Sequence, residues 1–404
     1  MPAQEDPVLD IRQLRDDTPG CAERIHLNNA GASLMPAPVI RAIQDHIALE
    51  SRIGGYEAAD ARSEAVLAAY QSVAALLGTE PEHIAFTESA TASYAQALSS
   101  VPFERGDVIL TTRNDYVSNQ IQFLSLQTRF GVQVVRAPDR QEGGVDVQAM
   151  RDLIRVRRPK IVCVTHVPTN SGLVQDVGAI GEACRKADVL YLVDACQSVG
   201  QMPVNVLDLQ CDFLSAAARK YLRGPRGAGF LYVSDRVLAR GLEPLFLDLR
   251  GAEWLSENQY RAVADARRYE SFEFAWALVL GTGEAARYAA ALGLFAIRER
   301  IYALADRLRR AFAALESVKV LDRGEELCGI VSIFVDGWDP RDLLRTLRTQ
   351  GINTNAQIRA YAVIDYDDKG VERSLRLSPH YFNTEEEIDR AVMAIRDLLV
   401  QGPA

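Results

Sequence analysis

Short apolar runs alternate with helical patterns through the middle of the chain. The runs lie at residues 108–112, 132–137, 161–167, 190–194, 213–215 and 229–233. Between them, apolar residues recur with helical spacing, for example over residues 146–155 and 177–186. Short, largely apolar strands that alternate with helices are typical of a parallel sheet with helices on its faces. The pattern therefore predicts an α/β domain with a mainly parallel central sheet, preceded by a helical region at 36–77.

The pattern changes near residue 280. A long helical stretch, 283–315, is followed by strand patterns at 318–321 and 330–335, a helix at 340–349, a strand at 374–377 and a final helix at 384–399. This order predicts a smaller α+β unit. We therefore expect an N-terminal segment (1–35), a large α/β domain (36–280) and a small α+β domain (281–404), and the N-terminal segment is a candidate to pack on the small domain.

Composition and charge exclude several classes of protein. The 404-residue chain has a net charge of −9 and a pI near 5.3, without the basic stripe of a nucleic-acid binder. No apolar run approaches the ~20 residues that span a bilayer. The N-terminal residues are polar and acidic, unlike a signal peptide, which predicts a cytoplasmic protein. The six cysteines have no metal-binding or disulfide pattern, so no metal site is expected.

Two residues near the ends of apolar runs are candidates for chemistry. Asp194 ends the run 190–194, and Lys220 follows the run 213–215, just before the glycine- and proline-containing segment 224–227. Ligands of parallel sheets bind at the carboxyl ends of the strands. Asp194 alone equally suits a helix N-cap, and an isolated lysine is usually a solvated surface group. A lysine at the foot of a turn between two buried strands favours a role in the same site.

The motifs around these residues carry a resemblance to a known family. Asp194-Ala195-Cys196-Gln197-Ser198, together with Arg219-Lys220 and Gly224-Pro225-Arg226-Gly227, resembles the class V aminotransferases, which are fold-type-I pyridoxal-phosphate enzymes. The resemblance extends from residues 27–31 to residues 376–384, nearly the whole chain. It implies a large domain that binds pyridoxal 5′-phosphate, a small C-terminal domain, an amino-acid substrate and a homodimer.

The resemblance also assigns the cofactor-binding residues. Lys220 would form the Schiff base with the cofactor and move the substrate's Cα proton, and Asp194 would pair with the pyridinium nitrogen. Gln197 would contact the phenolic oxygen, as would Thr169 or its neighbour Asn170, between which the sequence does not decide. The remaining residues would stack on the ring or bind the phosphate: Tyr116 on the ring, and Ala90, Thr91 and Arg219 on the phosphate.

The substrate residues implied by the resemblance lie at both ends of the chain. Arg376 matches the family's arginine for the substrate carboxylate, a bidentate partner. Asn29 and Tyr56 are further substrate-binding candidates. Without the resemblance, Arg376 would be taken for an exposed strand arginine.

Two features of the sequence indicate the reaction: a cysteine that is missing from one loop, and a short segment that resembles a group of lyases. Cysteine desulfurases carry a catalytic cysteine on a loop before the arginine strand, whereas residues 351–361 contain none, which argues against a desulfurase. Residues 53–59 resemble the ergothioneine-pathway C–S lyases. We therefore expect β-elimination from a cysteine derivative or cysteine-conjugate sulfoxide, with release of pyruvate and ammonia. The alternatives are an epimerase of the isopenicillin N type, an aminotransferase, or a cofactor-binding regulatory protein without turnover.

Overall fold

The structure, a computed structural model, describes residues 9–402. Its strands are β1 (Ile25–His26), β2 (Ile84–Thr87), β3 (Val108–Thr111), β4 (Gln133–Arg136), β5 (Ile161–Thr165), β6 (Leu190–Asp194), β7 (Phe213–Ala217), β8 (Gly229–Val233), β9 (Ala252–Ser256), β10 (Gln259–Ala262), β11 (Val318–Val320), β12 (Val331–Val335), β13 (Ile352–Asn353), β14 (Asn355–Ile358) and β15 (Arg373–Leu377).

In the same part of the chain, the first α-helix begins at Ile11 and the last ends at Gln401. The α-helices are α1 (Ile11–Asp16), α2 (Ala37–Ile53), α3 (Gly55–Ala61), α4 (Ser63–Leu77), α5 (Ala90–Ser99), α6 (Val117–Phe130), α7 (Val147–Arg157), α8 (Val177–Lys186), α9 (Val206–Leu209), α10 (Asp235–Ala239), α11 (Trp276–Leu292), α12 (Leu294–Ala313), α13 (Pro340–Thr349), α14 (Val363–Lys369) and α15 (Glu385–Gln401).

The large sheet has the strand order β2-β8-β7-β6-β5-β3-β4. Strands β3 to β7 are mutually parallel, while β8 runs antiparallel to both β7 and β2. Every residue of β5, β6 and β7 is buried, which explains why these strands are almost continuously apolar in sequence. The predicted α/β class with a mainly parallel sheet is confirmed.

Helix ends follow local capping signals. Asp146 and Asp176 cap α7 and α8, each accepting a hydrogen bond from the backbone N–H three residues on. The stretch predicted as one helix at 283–315 is two helices, because the chain turns at Gly293, whose φ is +82°. No helix within residues 9–402 combines the length and the apolar character needed to cross a membrane.

The C-terminal unit is built on a second sheet, β11-β12-β15-β14, in which all neighbours are antiparallel. Strand β1 pairs in parallel with β13, with Ile25 opposite Ile352. The N-terminal segment therefore packs against this unit. A boundary at residue 280 would fall within helix α11, which spans Trp276–Leu292. This helix packs against α2 and α4. The three-part domain division stays a prediction.

Candidate functional site

Asp194 is the last residue of β6 and lies at the carboxyl edge of the large sheet. Its side chain is only 4% exposed. Oδ1 accepts a hydrogen bond from the backbone N–H of Cys196 (3.0 Å), and Oδ2 accepts one from Asn119 Nδ2 (3.0 Å). These two bonds fix the orientation of a buried carboxylate, so Asp194 presents a well-defined acceptor to a ligand at this edge.

Lys220 lies in the turn that joins β7 to β8, at the same edge. The turn closes through backbone hydrogen bonds from Arg223 to Lys220 and from Gly224 to Ala218. The Lys220 side chain is buried, and its Nζ lies 5.7 Å from the centroid of the Tyr116 ring. Burial, and to a lesser extent the neighbouring cation of Arg219, lowers the pKa of the Lys220 ammonium. A lysine in this environment gives up its proton readily and becomes a nucleophile.

The first turn of α5 supplies candidate anion donors next to strand β7. Ser89 caps this helix by accepting a bond from Ala92 N–H (3.1 Å). Ser215 of β7 donates to the Ala90 carbonyl (2.9 Å), which ties the helix start to the sheet edge. The N–H groups at the start of a helix have no carbonyl partner within it and attract anions. Ala90 and Thr91 lie in this first turn, so their predicted role in phosphate binding stays a prediction.

Thr169 connects Gln197 with Arg376. Arg376 Nη1 donates to the Thr169 carbonyl (2.7 Å) and hydroxyl (2.8 Å), and Gln197 Nε2 donates to the same hydroxyl (3.0 Å). Arg376 Nη2 also reaches Asn28 Oδ1 at 3.2 Å. Asn170 is turned away, since its amide donates to Asp365 (2.6 Å). Of the two candidates that the sequence left open, Thr169 lies among the site residues.

The residues of this edge fit an anionic aromatic cofactor and an amino-acid substrate. In residues 9–402, neither Lys220 nor Arg376 forms an ion pair with a carboxylate. Burial lowers the pKa of Arg376 to about 10. Gln197 Oε1 and Arg376 Nε are buried without a hydrogen-bond partner in the same range. The buried cations and the Arg376 Nε–H group need hydrogen-bond acceptors, which a phosphate, a phenolic oxygen and a carboxylate would supply, whereas Gln197 Oε1 is itself an acceptor and needs a donor.

Of the predicted substrate residues, Tyr56 lies apart from this cluster, and the side-chain amide of Asn29 is already hydrogen-bonded within the chain. Asn29 is fully buried, and its amide is used by the chain itself: Nδ2 donates to the carbonyls of His26 and Ser378, and Oδ1 accepts from Ser33. Tyr56 is 73% exposed and lines a different cavity, with Arg250. Asn29 therefore links the N-terminal segment to the segment that contains Ser378. In residues 9–402, Tyr56 does not lie near Lys220. Arg219 is partly buried and donates to the Gly31 carbonyl.

Sequence reasoning missed a buried polar group behind Asp194. Asp115, Asn119 and Thr165 form hydrogen bonds with one another, and Asn119 also donates to Asp194. The signal was present, because Asp115 follows β3 just as Asp194 ends β6, and both strands run to the same edge.

Comparisons with known proteins identify relatives that span the chain. The probable cysteine desulfurase of Methanothermobacter thermautotrophicus is 28% identical over 96% of this chain and 98% of its own length. The cysteine desulfurase IscS of Photobacterium profundum is 30% identical over 82% of this chain and 81% of its own. The apo structure of the cysteine desulfurase from Thermococcus onnurineus NA1 superposes with a TM-score of 0.89, at 26% identity, over 99% of this chain and all of that one.

These comparisons correct the predicted reaction. The sequence predicted β-elimination from a cysteine derivative or cysteine-conjugate sulfoxide, with an epimerase or aminotransferase as alternatives and a desulfurase disfavoured. The relatives that span the chain and the Thermococcus onnurineus structure are named cysteine desulfurases instead, so that prediction is wrong. The error came from treating the missing loop cysteine as decisive, although the rest of the chain follows the desulfurases.

The family assignment rests on nearly the full chain. The family model described as Aminotransferase class-V matches residues 25–391, from β1 into α15. This match covers Asp194, Lys220 and Arg376, and it confirms the predicted cofactor. The chain belongs to the class V aminotransferases, a family of pyridoxal-phosphate enzymes.

Proposed function

We propose that this enzyme cleaves the C–S bond of L-cysteine, releases alanine and passes the sulfur to a thiol that is not part of the chain. The observation that carries the proposal is that relatives matching almost the whole chain are named cysteine desulfurases. The geometry around Lys220, Asp194 and Arg376 supports it, since this site suits an amino acid attached to a phosphorylated cofactor.

Pyridoxal phosphate, when bound, supplies an electron sink that stabilises negative charge on the substrate carbon next to the amino group. Lys220 would hold it covalently, because its buried amine loses its proton more easily than an exposed lysine does. The freed amine would then accept and return the Cα proton at Nζ. Asp194 would face the ring nitrogen, and Tyr116 would lie against the ring.

The phosphate would be bound between the start of α5 and Arg219. Ala90 and Thr91 offer backbone N–H groups at the positive end of the helix dipole. Arg219 adds a partly buried guanidinium, whose pKa is lowered by burial and by the nearby Arg226. Arg219 is partly buried, which strengthens its interaction with an anion because less water competes for it.

Arg376 would bind the substrate carboxylate. The bonds to Thr169 and Asn28 use Nη1 and Nη2, and Nε is buried with no partner among the described residues 9–402. An incoming carboxylate can therefore be bound through a free N–H of a guanidinium that is already held in place. Gln197, held to Thr169, would contact the phenolic oxygen and link the cofactor to the substrate arginine.

The sulfur acceptor must come from outside the site. Residues 351–361 contain no cysteine. Cys196 lies beside Asp194, but burial raises its thiol pKa, so the nucleophilic thiolate is disfavoured. An external thiol RSH would attack the substrate sulfur; the C–S bond breaks, its electron pair stays on the former Cβ, and a proton completes the methyl group of alanine. The acceptor leaves as the persulfide RSSH, so atoms and electrons balance.

The test is product identification with the cofactor-loaded enzyme, L-cysteine and dithiothreitol as the thiol. We expect alanine and sulfide in equal amounts, at a rate that rises with thiol concentration, and no pyruvate. Lys220→Ala is the control and should yield neither product. Pyruvate and ammonia without alanine would contradict the proposal, and so would a rate independent of the thiol.

We also propose that the enzyme is a homodimer. The segment that contains β9 and β10 exposes several large apolar side chains, among them Leu245, Phe246 and Trp254, which are 64%, 80% and 78% exposed. Clustered apolar exposure of this kind favours association. Sedimentation of the purified protein should give twice the mass of one chain, and Trp254→Glu should lower it; a monomeric wild type would contradict the proposal.

A further inference from the structure

A second buried carboxylate lies directly behind Asp194. Asp115 is 5% exposed, and Asn119, which separates it from Asp194, is 2% exposed. Asn119 Nδ2 lies 3.0 Å from Asp194 Oδ2 and 3.3 Å from Asp115 Oδ1. One amide group therefore donates to both acids, and a change at Asp115 is transmitted to Asp194 through a single side chain.

Asp115 is held on both of its oxygens. Oδ1 also accepts from the backbone N–H of Tyr116 (2.7 Å) and from the Thr165 hydroxyl. Oδ2 accepts from Thr111 Oγ1 (3.0 Å) and Gln120 Nε2 (2.9 Å). All of these donors are neutral, and no ion pair involves Asp115 within residues 9–402. Its negative charge, when present, is thus fixed in position. Arg136 is bonded to Gln120 and interacts with this charge, but it forms no ion pair with Asp115 in the part of the chain that the structure describes.

The same carboxylate also positions the ring-facing aromatic residue. The bond from Tyr116 N–H fixes the backbone at the start of α6, and the Tyr116 ring lies near Lys220 Nζ. Asp115 is therefore connected both to the acid expected at the ring nitrogen and to the residue expected on the ring face. Neither connection requires contact between Asp115 and the cofactor.

We propose that Asp115 is a positioning residue that acts through Asn119 on Asp194 and keeps the cofactor's ring nitrogen protonated. This inference rests on the role of Asp194 in the proposed function. The Asn119 bridge fixes the rotation of the Asp194 carboxylate, and the charge of Asp115 adds a negative potential that favours a proton on the ring. Burial raises the pKa of Asp115, whereas the bonds from Thr165 and Gln120 oppose that rise.

The test measures the ring nitrogen itself, independently of cysteine turnover. Enzyme loaded with nitrogen-15-labelled pyridoxal phosphate is titrated by NMR as Asp115→Asn, Asn119→Leu and wild type. We expect the protonated-ring signal to be lost at a pH lower by about one unit in both variants, together with about tenfold weaker cofactor binding, as for loss of one charge-assisted interaction.

Thr111→Val is the matched control. It removes one hydrogen bond from Asp115 Oδ2, whereas Asn119 bonds to Oδ1, so the nitrogen titration should stay as in the wild type. If Asp115→Asn fails to fold, Asn119→Leu still tests the proposal, because Asp115 keeps its four other hydrogen-bond donors in that variant. Unchanged titration in Asn119→Leu, or an equal shift in Thr111→Val, would overturn the proposal. Failure of the cysteine reaction would leave this result unaffected.

Discussion

Arg376 and Thr169 are joined by two hydrogen bonds from a single guanidinium nitrogen, one to the Thr169 carbonyl and one to its hydroxyl. The residues are far apart in sequence, and the contact joins strand β15 of the C-terminal sheet to the loop after β5. It fixes the orientation of an arginine that has no ion-pair partner in residues 9–402. The guanidinium is thus organised before a substrate carboxylate arrives.

Arg376→Lys should weaken substrate binding without affecting the cofactor. A lysine has no planar fork and cannot keep both contacts to Thr169 while it binds a carboxylate. We expect KM for cysteine to rise about tenfold to a hundredfold, the equivalent of one hydrogen bond to a charged group. Steady-state kinetics, with the absorbance of the bound cofactor, provide the measurement.

Arg373→Lys is the control, because it lies on the same strand but is exposed and bonds to Asp339. Its KM should match the wild type. An unchanged KM in Arg376→Lys would exclude Arg376 from substrate binding.

Gly229→Ala should disturb the start of α5. A Cβ at residue 229 would lie 2.6 Å from both Ala90 N and Ser89 C, backbone atoms that must move to make room. Overpacking of this kind costs about 1–3 kcal/mol. Because the displaced peptide is the proposed phosphate site, cofactor affinity should fall about tenfold, as measured by equilibrium dialysis.

Gly55→Ala serves for comparison, since a Cβ there would meet no atom of residues 9–402 within 4 Å. It should leave both affinity and stability nearly unchanged. Wild-type affinity in Gly229→Ala would show that the α5 N-terminus does not bind the phosphate.

Glu270→Gln should destabilise the folded protein. Glu270 accepts bonds from Tyr70 OH (2.7 Å), Phe86 N–H (2.8 Å) and Arg250 Nε (2.5 Å), and its side chain is fully buried. Removing its charge leaves Arg250 without a counter-ion, which costs about 3–5 kcal/mol for a buried pair. Denaturant unfolding should show this loss, whereas Tyr70→Phe should lose only about 1 kcal/mol. Equal losses in the two variants would refute the ion pair as the dominant contribution.

Asp139→Asn should stabilise the protein at neutral pH and not in acid. Burial raises the pKa of Asp139 to about 6, and its Oδ1 has no partner in residues 9–402. The folded state therefore holds this proton more tightly than the unfolded state, whose pKa is about 4. The contribution of Asp139 to the free energy of unfolding is fully present below about pH 4 and is lost as the pH rises through about 6.

The variant lacks this titration, so its advantage in Tm over the wild type should appear between those values and remain above them. Thermal unfolding across this range provides the check. A difference in Tm that is the same at every pH would contradict the assignment to Asp139.

The sequence anticipated the fold better than the site. Strands β5 to β7 are apolar because both faces are buried, so their positions were evident from composition alone. The break at Gly293 was missed because alanine-rich helices continue on both sides of it.

The contacts in the site join residues that are far apart in sequence, and no local sequence pattern predicts such contacts. Asn29 was expected at the substrate, yet its amide is bonded to the carbonyl of Ser378, close to the other end of the chain. Asp115 was overlooked, although it follows β3 at the same sheet edge as Asp194. The reaction was misjudged because one absent thiol was given more weight than the rest of the chain.

Reductive trapping of the cofactor with borohydride, followed by peptide mapping, shows directly which lysine holds the cofactor. We expect a single pyridoxyl label on Lys220 in the wild type and no label in Lys220→Ala. A label on another lysine, or a labelled Lys220→Ala, would show that this buried lysine does not hold the cofactor.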